Sequence, residues 1–185
     1  MKKQNKDGIT RFLFIGRIMK EKGIEEYLKA ADKITKKYPN TEFQILGRFE
    51  EGKYKGLISN INNCRIRYLG VSEDVRNEIR EVDCIVHPTF YPEGMSNVLL
   101  EGAAMGKPLI ASNIPGCKEI IDDGVNGFLF EPQNVKQLTD KVEQFLILNF
   151  EEKKRMGQAG RKKVEKEFDR NIVVDAYLEE IIKLL

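Results

Sequence analysis

Short, unbroken apolar runs alternate along this chain with longer stretches in which apolar positions recur every three to four residues. Phe12-Leu13-Phe14-Ile15 is apolar without interruption, as a strand covered on both faces would be, and it stops at Gly16. Ile24, Tyr27, Leu28, Ala31 and Ile34 then form a helical stripe that ends before Pro39. Phe43-Gln44-Ile45-Leu46 predicts a second strand, stopped at Gly47, and residues 53–61 a short helix. Ile66, Tyr68 and Leu69 predict a third strand, which stops at Gly70; its charged alternates mark a less covered position.

The rhythm continues to the end. Residues 72–82 predict a helix with Ser72 as its N-cap, and Cys84-Ile85-Val86 a fourth strand ended by Pro88. Asn97 to Met105 is apolar enough for a helix buried all round. Leu109-Ile110-Ala111 and Phe128-Leu129-Phe130 predict the fifth and sixth strands, with a short helix near 116–122 between them. Three helices follow: a stripe through Val135, Leu138, Val142 and Phe145; a basic helix near 151–167; and a stripe through Val173, Tyr177, Ile181 and Leu184. Such alternation predicts an α/β fold, a doubly wound, Rossmann-like parallel sheet of about six strands flanked by helices. Residues 1–10 are expected to be a flexible lead-in and residues 11–185 one domain, without repeat or linker.

Composition narrows the chemistry. With 185 residues, 41% of them hydrophobic, the chain can bury roughly 70% of its unfolded surface and needs neither disulfide nor metal to hold it. Thirty-one basic against 29 acidic residues leave a charge of +2, which gives no electrostatic footprint for nucleic acid. Cys64, Cys84 and Cys117 are odd in number and form no CxxC pair, so neither a disulfide framework nor a zinc site is indicated. His87 is the only histidine, which excludes a multi-histidine metal centre. No apolar run has the length of a signal peptide core or a membrane span, and the expected location is cytoplasmic.

Ligands on doubly wound sheets bind beyond the carboxyl ends of the strands, so the strand exits are where chemistry is expected. The first exit, GRIMKEKG (16–23), places Arg17 and Lys22 on either side of a turn that opens a helix. Two cations at a helix N-terminus make an anion site, although Lys20, Glu21 and Lys22 also read as solvated turn residues. The fourth exit, YPEGMSNVLLEG (91–102), leads through Glu93, Gly94, Met95, Ser96 and Asn97 into the apolar helix, with Glu101 one turn inside. Apolar neighbours suggest that Glu101 is buried, where an unpartnered carboxylate is costly and a ligand should meet it; complementing the helix dipole is the alternative. Carboxylates beside an anion site suit a ligand carrying both phosphates and hydroxyls, of which a nucleotide sugar is one.

GRIMKEKG, then YPEGMSNVLLEG, GKPLIAS and PGCKEIIDDGVNGFLF, followed by a helical tail, resembles the C-terminal half of family 4 retaining glycosyltransferases of GT-B architecture, from about Arg11 to the end. Glu93 and Glu101 match that family's E-x7-E signature, and Arg17 with Lys22 its G-R-x4-K-G clamp. The resemblance implies that Gly16, Arg17 and Lys22 hold a donor diphosphate, the two cations stabilising its charge as it leaves, and that the Gly94, Met95, Ser96 and Asn97 loop cradles the diphosphate or the sugar hydroxyls. By the same resemblance Glu93 faces the transferred sugar, Glu101 binds the ribose hydroxyls, and Gly70 with Val71 meets the base. It implies a UDP-sugar or, second, a GDP-sugar as substrate, no metal and no other cofactor, and a glycan or lipid-linked acceptor in capsule or lipopolysaccharide assembly. A separate N-terminal acceptor domain is implied as partner, with a peripheral contact to the inner face of a membrane in the whole enzyme. This chain would then bind nucleotide without turnover, and its last helix, lacking that domain, would self-associate weakly. A non-catalytic nucleotide-binding or interaction module is the rival reading.

Other signals are weaker. GAAMGK (102–107) is one residue short of a phosphate loop and is followed by Pro108 where Ser or Thr belongs. His87 reads as a structural histidine ending a buried strand rather than a general base. The cations at 153–155 and 161–163 interleave with Glu151, Glu152, Glu165 and Glu167, the pattern of a solvated helix face rather than a lipid-binding one. Two carboxylates also suit glycoside hydrolysis, but hydrolysis has no use for the cation pair.

Overall fold

A computed structural model describes residues 7–184 apart from Glu93 and the side chains of Val173 and Leu184. Six parallel strands form one sheet: β1 (Thr10–Ile15), β2 (Thr41–Leu46), β3 (Ile66–Gly70), β4 (Cys84–His87), β5 (Leu109–Ser112) and β6 (Gly127–Phe130), in the order β3-β2-β1-β4-β5-β6. The helices are α1 (Ile24–Lys37), α2 (Lys53–Ser59), α3 (Arg76–Glu81), α4 (Asn97–Ala104), α5 (Val135–Ile147), α6 (Phe150–Glu167) and α7 (Arg170–Leu184). This is the doubly wound, Rossmann-like arrangement that the alternation predicts. β1 begins at Thr10, inside the segment read as a lead-in, and the Asp7 carboxylate accepts the Ile9 N–H and pairs with Arg11.

Alternation along each strand divides the core between the two faces. Phe12, Phe14, Phe43, Ile45, Val86 and Ile110 face α1 and α5, while Leu13, Ile15, Ile85, Leu109 and Ala111 face the α4 side. Phe12 stacks on Phe43 with ring centroids 4.8 Å apart and meets Phe145 of α5 edge-on at 5.7 Å. The buried Tyr27 hydroxyl donates to the carbonyls of Phe12 and Gln44 at 3.1 and 2.8 Å, tying α1 across β1 and β2. β3 lies at the sheet edge with Arg67 and Tyr68 exposed, which accounts for its charged alternates.

Three local expectations are corrected. The helix after β3 starts at Arg76 rather than Ser72; the Ser72 hydroxyl accepts the Asp74 N–H instead of capping a helix. Residues 115–120 are a succession of turns, because Gly116 adopts φ +86° and gives its N–H to the Glu119 carboxylate, which interrupts a helical ladder. Helix α4 buries Leu99, Gly102 and Ala103 but not its whole circumference. In α7, Ile172, Val174, Tyr177, Leu178, Ile181 and Ile182 are all exposed. No helix of the described residues is long and apolar enough to cross a membrane.

Two glycines let β1 and β2 leave the sheet side by side. Gly47 has φ +147°, and a Cβ on it would lie 1.8 Å from the Gly16 carbonyl oxygen. Gly47→Ala is therefore expected to lower the unfolding free energy by at least about 2 kcal/mol in urea titration. Gly52→Ala, at a right-handed residue with nothing within 4 Å, should stay within about 0.5 kcal/mol of the parent.

Candidate donor-binding site

Connections leave β1 toward β2 and β4 toward β5, in opposite directions, so a crevice opens between β1 and β4 at their carboxyl ends. The loop after β1 is fixed on one side by β2's exit: Ile18 N–H donates to the Arg48 carbonyl at 2.7 Å, and the Glu51 carboxylate accepts Lys20 N–H at 2.7 Å. On the other side it is latched to the loop after β4. The Glu21 carbonyl accepts the N–H groups of Phe90 and Tyr91 at 2.8 and 3.1 Å and the Thr89 hydroxyl at 3.2 Å. Gly23, at φ +75°, presses so closely on Pro88 that a Cβ would come within 2.0 Å of the Pro88 carbonyl oxygen.

That latch gathers the expected cations around an aromatic ring. The Arg17 guanidinium lies 5.8 Å and the Lys22 ammonium 5.1 Å from the centroid of Tyr91. Burial, and then the neighbouring Arg17 charge, lowers the Lys22 pKa, so its cation sits where an incoming anion would be welcome. Lys22 also acts on His87 at the end of β4. Burial and the Lys22 charge push the His87 pKa down to about 3, so the imidazole is neutral. His87 Nε2 lies 3.2 Å from the Ser96 hydroxyl, and Ser96 N–H donates to the Gly116 carbonyl at 3.0 Å, which fixes the start of α4 against both β4 and the turns after β5. Nearby Cys117 is fully buried, and burial raises its pKa to about 12, so it is an inert thiol.

Arg17 and Lys22 thus meet at the crevice, and Gly94, Met95, Ser96 and Asn97 lead into α4 on its far side, where the unpaired amides of a helix start are found. Gly16 has φ +151° with open space where a side chain would stand, so backbone there is accessible to a ligand. Glu93 lies outside the described residues. Glu101 corrects the expectation of burial: it is exposed, because at about 100° per residue it falls on the side of α4 away from Leu99. Val71 is 67% exposed, just beyond β3 at the sheet edge, two strands from β1. The sequence reading does not single out Tyr91, and it takes His87 as a structural histidine ending a buried strand, which agrees with its burial and its contact with Ser96. An aromatic residue inside YPEG, beside two cations, is the signal that marks Tyr91, whereas nothing in sequence spacing couples His87 to Ser96. A separate cavity of about 720 Å³ lies at the opposite pole, lined by Thr10, Asp83, Lys107 and Lys153 among others.

Fold and site together define the class, a doubly wound Rossmann-like domain with two cations at the carboxyl-end mouth of its sheet. A sequence model of the family described as "Glycosyl transferases group 1" matches residues 1–163, and the chain belongs to that family. It is 30% identical over 166 residues to the capsular polysaccharide biosynthesis glycosyltransferase CapM of Staphylococcus aureus, covering 86% of this chain and 42% of CapM. The structure superposes on the C-terminal domain of the Francisella tularensis group 1 glycosyl transferase LpcC with TM-score 0.78 and 26% identity, covering 86% of each chain. It also superposes on Anabaena HepE, solved with UDP and glucose, with TM-score 0.81 and 21% identity, over 96% of this chain and 49% of HepE. The chain therefore spans about two fifths of the length of its curated relative and corresponds to the Rossmann-like C-terminal domain of a GT-B glycosyltransferase.

His87 also predicts a pH dependence. The unfolded chain takes up a proton near pH 6.5 that the folded chain refuses until about pH 3. Stability from this group is therefore lost as pH falls from 6.5 toward 3, by up to about 1.4 kcal/mol per pH unit. Urea midpoints of the parent and His87→Gln, compared across that range, should show a shallower fall in the variant.

Proposed function

We propose that this chain is the donor-binding half of a family 4 retaining glycosyltransferase, which moves a sugar from a nucleoside-diphosphate sugar, UDP-linked in the first instance, to a glycan or lipid-linked acceptor in surface polysaccharide assembly. The observation that carries the reading is the convergence of Arg17 and Lys22 on Tyr91 at the β1–β4 crevice. Breaking the anomeric carbon–oxygen bond leaves negative charge on the departing diphosphate. Two preorganised cations and the first amides of α4 stabilise that charge as it develops, which makes a metal ion unnecessary for the step. Glu93 would face the sugar and Glu101, exposed at the rim, would take the ribose hydroxyls. Val71, beyond the edge strand, would flank the base. The capsular role printed for CapM and the UDP bound by HepE support the choice of pathway and nucleotide.

The partner in this reading is an N-terminal acceptor domain, covering the exposed apolar face of α7, with the whole enzyme acting at the inner face of the membrane. Titration calorimetry in EDTA tests the donor site. UDP should bind, and Arg17→Ala should weaken it at least tenfold, since a charge-assisted contact is worth about 1.5–3 kcal/mol. Binding unaffected by Arg17→Ala would overturn the site. Incubated alone with UDP-glucose and a lipid-linked acceptor, the chain should give no transfer; transfer by the chain alone would contradict the division of labour between the halves.

A further inference from the structure

Ser96 occupies the N-cap position of α4 in an extended conformation, φ −74° and ψ 105°, where a serine ordinarily turns its hydroxyl onto the amides of the first turn. No such bond is made. The hydroxyl is 3.2 Å from His87 Nε2, in a contact sealed from solvent, with Ser96 1% and His87 2% exposed. Ser96 backbone is otherwise ordinary: its N–H reaches the Gly116 carbonyl and its carbonyl accepts the Leu100 N–H, each at 3.0 Å. The helix is therefore started in the usual way while its capping side chain is held elsewhere. The Lys22 ammonium, 5.1 Å from the Tyr91 centroid, adds its charge to burial in keeping the His87 ring neutral, so the ring that holds the Ser96 hydroxyl adjoins the cation pair.

Resting on the function proposed above, we propose that His87 is a positioning residue for the donor diphosphate: by engaging the Ser96 hydroxyl it keeps the first-turn amides of α4 open to the ligand's phosphate oxygens. Without the imidazole, the hydroxyl swings to its ordinary position and competes with the phosphate for those amides. Because the imidazole is neutral, it engages the Ser96 hydroxyl without itself becoming a charged partner for the phosphate. The role differs from general-base catalysis, since His87 need touch no reacting atom.

The consequence that separates this role from mere support of the fold is rescue by a second deletion. His87→Leu should weaken UDP binding about tenfold by calorimetry and shift the amide resonances of Val98 and Leu99 in ¹H–¹⁵N spectra recorded without ligand, as the serine caps them. Ser96→Ala, which has no hydroxyl to turn onto the helix, should leave the Val98 and Leu99 amide resonances of the unliganded chain where the parent has them. The double variant H87L/S96A should recover both the affinity and the amide positions, and His87→Gln, which still offers Ser96 a polar partner, should resemble the parent. A double variant as weak as H87L, or amides unmoved in H87L, would overturn the proposal. Should H87L not fold, His87→Asn, too short to reach Ser96, takes its place. If the parent itself binds no UDP, the donor-site reading fails, while the amide shifts still decide whether His87 withholds the cap.

Discussion

A single backbone carbonyl, that of Glu21, receives the Phe90 and Tyr91 amides and the Thr89 hydroxyl, and through it the loop after β1 is joined to the loop after β4. These loops diverge by topology, since their strands send their connections to opposite sides of the sheet. Without the latch, the crevice at the switch point would have two independent rims. Gly23 makes it possible, because only a residue without Cβ lets α1 begin within contact of Pro88. Arg17, Lys22, Tyr91 and His87 all take their places from that junction.

The electrostatics follow from the same geometry. Two like charges share one aromatic face, and burial together with the neighbouring Arg17 charge lowers the Lys22 pKa. The neutral His87 and the uncapped start of α4 extend the site to the other rim. The geometry of the crevice mouth therefore rests on both loops at once.

Much of the fold was legible because the apolar runs at 12–15, 43–46, 84–86, 109–111 and 128–130 are each bounded by glycine, proline or polar residues and leave strands few alternatives. What was misread depended on tertiary partners. Ser72 looks like a cap but spends its hydroxyl on a local turn, and Gly116 with Glu119 breaks a segment that seems helical by composition. Glu101 reads as buried from its neighbours in sequence, whereas its neighbours in space are set by the helical angle. At the site, the motifs located Arg17, Lys22 and the 94–97 loop, but not the bond between His87 and Ser96, which joins a strand end to a helix start across the intervening loop.

On the function proposed, an anionic nucleotide should bind between the β1 loop and the start of α4. The most direct measurement is a ¹H–¹⁵N amide titration of the chain with UDP in EDTA. Perturbations should concentrate on residues 16–23 and 94–99. Perturbations clustered around Thr10, Lys107 and Lys153 at the opposite pole, or spread without focus, would contradict it.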